Sequence, residues 1–121
     1  MTKMILFDTE MGKLKWVNTD GLDDYYRLLK CRTIDIPTRM VGATEYDIIC
    51  DDEGLLKPEP VLSAVDSNFE PMLVGNLLFC HHDGEGNETD CTDVDMLNLQ
   101  RHLKQGFTMQ GPTTVVTVEY C

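Results

Sequence analysis

The most apolar stretch of this chain, Leu73–Cys80, is eight residues long. A run of that length suits a central strand, interrupted at Gly75 for a bulge or a close neighbour. No apolar run approaches the ~18 residues that a membrane-crossing helix needs. Other short runs repeat the theme. Met4–Phe7 reads as a strand, and Lys13–Val17 alternates, with Gly12 in the connection, so the two predict an N-terminal hairpin. Ile34 and Ile36 mark a short strand closed by Pro37, and Glu45–Cys50 reads as another, stopped by Asp51-Asp52-Glu53-Gly54. Thr113–Tyr120 alternates, with Val116, Val118 and Tyr120 on one face. The stretch 55–71, with Pro58, Pro60 and Pro71, reads as a long irregular connection with a short helical turn near Val61–Val65.

Two segments carry helical signals. Asp20 stands as an N-cap, Asp23 and Asp24 fall in a first turn, and Leu22, Tyr25, Tyr26 and Leu29 form a stripe. Acid first and base last, with Arg27, Lys30 and Arg32 at the end, suits the helix dipole and predicts a helix over 21–31. Thr92 with Asp95 makes a capping box; Met96, Leu99 and Leu103 are spaced for one face, and Gly106 stands as a stop. That predicts a helix over 93–105. Strands and helices interleave irregularly, so the sequence predicts an α+β class: one domain over 1–121 with a mixed or antiparallel sheet and about two helices.

Charge narrows the function. Twenty-one acids against ten bases give −11 overall. Residues 42–100 hold fourteen acids and one base, Lys57; the flanking segments 1–41 and 101–121 are each +1. The balance disfavours nucleic acid and anionic membranes as direct partners, because both need a positive field. Five cysteines, Cys31, Cys50, Cys80, Cys91 and Cys121, are odd in number and form no C-x-x-C. With no signal-peptide pattern at the apolar start, they predict a reduced, cytoplasmic protein with free thiols.

Cys80, His81, His82 and Cys91 are suitable zinc ligands at a poor spacing, since adjacent ligands cannot easily both reach one tetrahedral ion. Asp83, Glu85 and Asn87 fit the first, third and fifth positions of a calcium loop, but Glu88 stands where the turn needs Gly and Val94 where a bidentate Glu is required. The reading is therefore no metal and no cofactor. Ser63 and Ser67 lie outside any nucleophile elbow, nothing pairs a cysteine with a histidine, and there is no glycine-rich phosphate loop. No catalytic residue is assigned.

Several segments together resemble a known family. They are Leu28-Leu29 before Thr33-Ile34-Asp35-Ile36, then Tyr46–Gly54 with its acidic turn, then Leu73-Val74-Gly75-Asn76-Leu77-Leu78, and then Thr92-Asp93-Val94-Asp95. Over about 22–104 the chain resembles a small family of uncharacterised domains found in bacteriophages, plasmids and gut Firmicutes. The resemblance implies an accessory protein of a mobile element in a bacterial cytoplasm. By analogy, it implies a counter to host defence that occupies a nucleic-acid-binding surface.

The expectation is thus a non-enzymatic binding protein: a nucleic-acid mimic that inhibits a host nuclease such as a CRISPR effector, through a basic, nucleic-acid-binding protein partner. Its partner-binding residues are Asp51, Asp52 and Glu53 in one turn and Asp83, Glu85, Glu88 and Asp90 in another, both expected to be exposed. Glu59, Asp66 and Glu70 form a third, weaker set. The alternative is a small ligand-binding or hydrolytic domain with a Cys/His/Asp pocket.

Overall fold

In chain order the strands β1 (Thr2–Asp8) and β2 (Lys13–Thr19) precede helix α1 (Leu22–Leu29). Then come β3 (Ile34–Asp35), β4 (Thr38–Val41), β5 (Thr44–Asp51), β6 (Leu62–Val65), β7 (Pro71–Val74), β8 (Leu77–His82) and β9 (Glu88–Thr89). Helix α2 (Asp93–Arg101) leads to β10 (Leu103–Thr108), β11 (Gly111–Thr117) and β12 (Glu119–Tyr120). The computed structural model describes residues 1–121.

The expected hairpin forms: β1 and β2 pair from Thr2–Thr19 to Asp8–Lys13. Asp8 closes the reversal, its carbonyl accepting from Gly12 N–H and its carboxylate from the N–H groups of Glu10 and Met11. The larger sheet runs in the order β12-β4-β5-β8-β1-β2, with β9 added beside β8. Strands β3 and β4 lie along the same edge of β5 in one register, Asp35 opposite Cys50 and Thr38 opposite Asp47. They are one strand broken at Pro37, which has no N–H to donate, although its carbonyl still accepts from Ile48 N–H. The smaller sheet has the order β10-β11-β6-β7, in which β11 and β6 are parallel.

The central strands β1, β5 and β8 are buried on both faces, which is why they read as continuous apolar runs. Ile5, Phe7, Tyr46, Ile48, Leu77 and Phe79 point to the core shared with the smaller sheet and α2, where Leu99, Val116 and Val118 meet them. Met4, Leu6, Ile49, Leu78 and Cys80 point the other way, under Tyr25 and Leu29 of α1. The large sheet is therefore a middle layer, and residues adjacent along these strands belong to different cores.

Several expectations are corrected. With 49% of residues in strands, 17% in helix and two sheets, the fold is β-rich and not α+β. Leu73–Cys80 is not one strand: Gly75, at φ +77°, ends β7 in the smaller sheet, and β8 starts two residues later in the larger one. Leu62–Val65 is strand rather than helical turn, because it pairs with both β7 and β11. The capping box of α2 is present, but the helix ends at Arg101, and Leu103 pairs with Val116 instead of continuing the stripe. Gly106 is not a stop signal. It lies mid-strand under the Phe69 ring, where an added Cβ would sit 2.3 Å from Cζ. Asp20 does not cap α1; its own N–H donates to Asp24, and Gly21 holds the N-cap position. Finally, the polar loop expected over His81–Thr89 shrinks, because His81 and His82 pair with Thr89 and Glu88.

Candidate functional site

The two acidic turns lie at opposite ends of the larger sheet. Strands β5 and β8 are antiparallel, with Asp47 opposite Cys80 and Ile49 opposite Leu78. Asp51 therefore ends beside the start of β8, whereas Asp83 leaves the far end, roughly 20–25 Å of strand away. The structure does not bring the two sets together.

The first turn is largely spent on the fold. The Asp51 side chain is only 6% exposed; Oδ1 accepts from Glu53 N–H and Oδ2 is 2.9 Å from Lys57 Nζ. The same Lys57 donates to the Lys30 carbonyl at the end of α1. Glu53 accepts from the Thr33 hydroxyl and faces Arg32 at 3.6 Å. Asp52 alone is exposed and unpaired. Nearby, Asp8 meets Lys15 and Glu10 meets Lys30. Four of the five Lys/Arg ion pairs thus stand at this end. The expectation that this turn is fully exposed is corrected for Asp51 and Glu53.

At the opposite end, Asp83, Glu85, Glu88 and Asp90 meet no cationic side chain. Asp83 folds onto its own loop, accepting from Asn87 N–H and Glu85 N–H, and these bonds hold its carboxyl below the usual range. Asp90 accepts from Lys3 N–H, while the Lys3 ammonium stands over the Trp16 ring at 4.2 Å. Glu88 is half-buried and close enough to Tyr25 to add to the rise that burial imposes on that hydroxyl. Of the weaker set, Glu59 and Glu70 are exposed, and Asp66 caps its own turn, accepting from Asn68 and Glu70 N–H.

Between these carboxylates and the core lie two histidine–carboxylate pairs. Adjacent residues of a strand face opposite sides, so His81 and His82 part company. His82 Nδ1 lies 2.7 Å from Asp47 Oδ2, and Thr38 Oγ1 donates to Asp47 Oδ1. On the other face, His81 stacks on Tyr46 at 4.8 Å between ring centres and pairs with Asp95 Oδ2 at 3.0 Å. Tyr46 Oη donates to Asp95 Oδ1 at 2.8 Å, and Asn98 donates to that hydroxyl. Thr92 N–H at 2.8 Å and Thr92 Oγ1 at 3.3 Å complete the set on Asp95 Oδ2. Burial alone would raise the Asp95 carboxyl, but the Thr92, Tyr46 and His81 bonds outweigh it and hold it low. A cleft of about 230 Å³ lined by Glu45, Tyr46, Asp47, His81 and His82 opens here.

The four sequence-level zinc candidates split the same way. Cys80 belongs to the α1-side core, with His82 on its side of the strand, and Cys91 lies in the other core with His81 on that face. Asp95, read from the sequence only as a cap, brings a carboxylate to His81 and Cys91, and the three ligand atoms lie within 4.8 Å of one another. Period-two alternation at 81–82 was the sequence signal that could have separated the histidines. A second feature the sequence hid is an apolar groove of about 520 Å³, lined by Leu55, Leu56, Met72 and Val74 among others. It depends on Gly54–Leu56 folding against β7, which no local pattern announces.

The fold and the site define a two-sheet β domain with an uncompensated acidic end. The model of a family described as a domain of unknown function (DUF3846) matches residues 1–104, and the chain belongs to that family. The match takes in the β1–β2 hairpin, which the sequence resemblance had left out. Neither the curated proteins nor the solved structures compared with the chain gave a match. No helix is long and apolar enough to cross a membrane, and all five cysteines are free.

Proposed function

We propose that this protein is a non-enzymatic binding protein of a mobile genetic element that occupies the basic, nucleic-acid-binding surface of a host defence nuclease. One observation carries the reading. The carboxylates of Asp83, Glu85, Glu88 and Asp90 stand at one end of the sheet with no cationic side chain against them, while the other acidic turn is tied to Lys57 and Arg32. Uncompensated carboxylates at a hairpin end project the kind of field that a phosphate-binding groove receives. Asp52 extends the anionic surface at the far end, whereas Asp51 and Glu53 are removed from the contact set.

The test adds the purified protein to cleavage reactions of guide-loaded CRISPR effectors and other basic nucleases, beside the variant Asp83→Asn/Glu85→Gln/Glu88→Gln/Asp90→Asn. The parent is expected to slow at least one enzyme, with relief as salt rises, and the variant to lose that inhibition. Inhibition by both proteins alike, or by neither across the panel, overturns the proposal.

A further inference from the structure

The candidate zinc quartet in the sequence fails, but the fold assembles a different set of ligands. His81 is the next-to-last residue of β8, Cys91 precedes α2 and Asp95 lies in its first turn; Cys91 packs in the core shared with the smaller sheet, and His81 and Asp95 both meet Tyr46 of that core. Their side-chain N, S and O atoms lie within 4.8 Å of one another, and His81 Nε2 is already 3.0 Å from Asp95 Oδ2. With Zn–N and Zn–O bonds of about 2.0–2.2 Å and Zn–S of about 2.3 Å, tetrahedral ligands stand about 3.3–3.7 Å apart. Closing the set moves the Cys91 thiol, which donates to the Phe79 carbonyl at 3.3 Å, off that carbonyl and toward His81 and Asp95. We infer that His81, Cys91 and Asp95 form a three-ligand site for a borderline divalent metal, Zn²⁺, with its fourth position open to the cleft beside Tyr46.

Three independent features support it. The donor set of imidazole, thiolate and carboxylate selects zinc over Mg²⁺ or Ca²⁺, which take oxygen donors. An outer shell already orients the carboxylate: Tyr46 Oη and Thr92 N–H donate to Asp95, and the Tyr46 ring stacks on His81. Cys91 is 3% and Asp95 7% exposed, so two ligands are shielded, while the His81 side chain, 28% exposed, lies at the cleft from which an ion enters. Binding replaces the His81–Asp95 hydrogen bond by coordination. The Cys91 thiol proton leaves to solvent, and the imidazole carries its proton on Nδ1 with Nε2 on the metal. The segment between His81 and Cys91 holds all four uncompensated carboxylates, so the ion would clamp both ends of that loop. The metal site does not depend on what the loop binds.

The test is titration of the reduced, metal-free protein with Co²⁺, followed by competition with Zn²⁺. One equivalent of Co²⁺ should give a thiolate-to-cobalt charge-transfer band together with visible bands of a tetrahedral ion, and Zn²⁺ should displace it. Cys91→Ser should abolish the charge-transfer band, and Tyr46→Phe should weaken affinity about tenfold through loss of the bond to Asp95. Cys80→Ser, on the opposite face, should leave spectrum and affinity unchanged. Circular dichroism of each variant confirms the fold. Absence of a charge-transfer band in the parent, or its persistence in folded Cys91→Ser, overturns the assignment. Loss of inhibition in the acidic-loop variant with the cobalt spectrum intact would speak to the partner reading alone.

Discussion

The turn at 51–53 and the loop at 83–90 are both acidic in sequence and do different work. In the first, Asp51 is nearly enclosed, bonds Glu53 N–H and meets Lys57, which also ties down the end of α1. In the second, the carboxylates bind main-chain N–H groups and, at Asp83, the Asn87 side-chain amide, but no cation. The lesson is that formal charge per segment does not measure the field a surface presents. The field depends on which side chains the fold brings alongside. Here Lys15, Lys30, Arg32 and Lys57 gather at one end and leave the other unbalanced.

The largest effect on stability is expected from an acid that lies beneath the uncompensated loop yet serves the fold. Asp95→Ala removes the α2 cap, the acceptor for the buried Tyr46 hydroxyl and the partner of His81. It should cost about 2–4 kcal/mol in urea unfolding at neutral pH. The loss has a pH signature. Because the Asp95 carboxyl is held below its ordinary value of 3.8, its contribution is whole above that pH and fades as pH falls through the lower folded value. Asp95→Asn should flatten that part of the acid limb. A variant as stable as the parent at neutral pH would show that the loop end is not anchored through Asp95.

Asp51→Ala should come next, at about 1–2 kcal/mol, since it breaks a pair whose lysine is half exposed and leaves Glu53 N–H without its acceptor. Thermal or urea unfolding measures it. The neutralised 83–90 variant should shift the unfolding midpoint less than Asp51→Ala alone does, despite four times the charge change. The opposite order would erase the distinction between the two regions.

What the sequence disclosed follows from how local each signal is. The β1–β2 alternation, the capping box of Thr92 and Asp95, and the acid-to-base gradient of α1 are set by neighbours a few residues apart, and each yields its element. The smaller sheet was hidden, because β6 is a four-residue strand in a proline-rich stretch and is defined by pairing with β11, about fifty residues on. Gly106 misled for a similar reason. Its small size serves the Phe69 ring and not a helix end. Among the acids, the grouping of Asp83, Glu85, Glu88 and Asp90 in one loop was legible, but the burial of Asp51 was not, since it depends on where Lys57 lands. The His81–Asp95–Tyr46 network joins three elements and has no local spacing to reveal it.

The field of the 83–90 loop, and not net charge, should set how tightly the protein binds a basic surface. This is tested most directly by fluorescence titration with a labelled oligolysine peptide at low and raised salt. Two variants with equal charge change are compared: Asp83→Asn/Glu85→Gln/Glu88→Gln/Asp90→Asn, and Asp52→Asn/Glu53→Gln/Glu59→Gln/Glu70→Gln. The parent and the second variant are expected to bind with similar affinity and a similar salt slope, while the first binds weakly and with a flattened slope. Equal loss in both variants would contradict it, and would leave the acidity as a property of the whole surface.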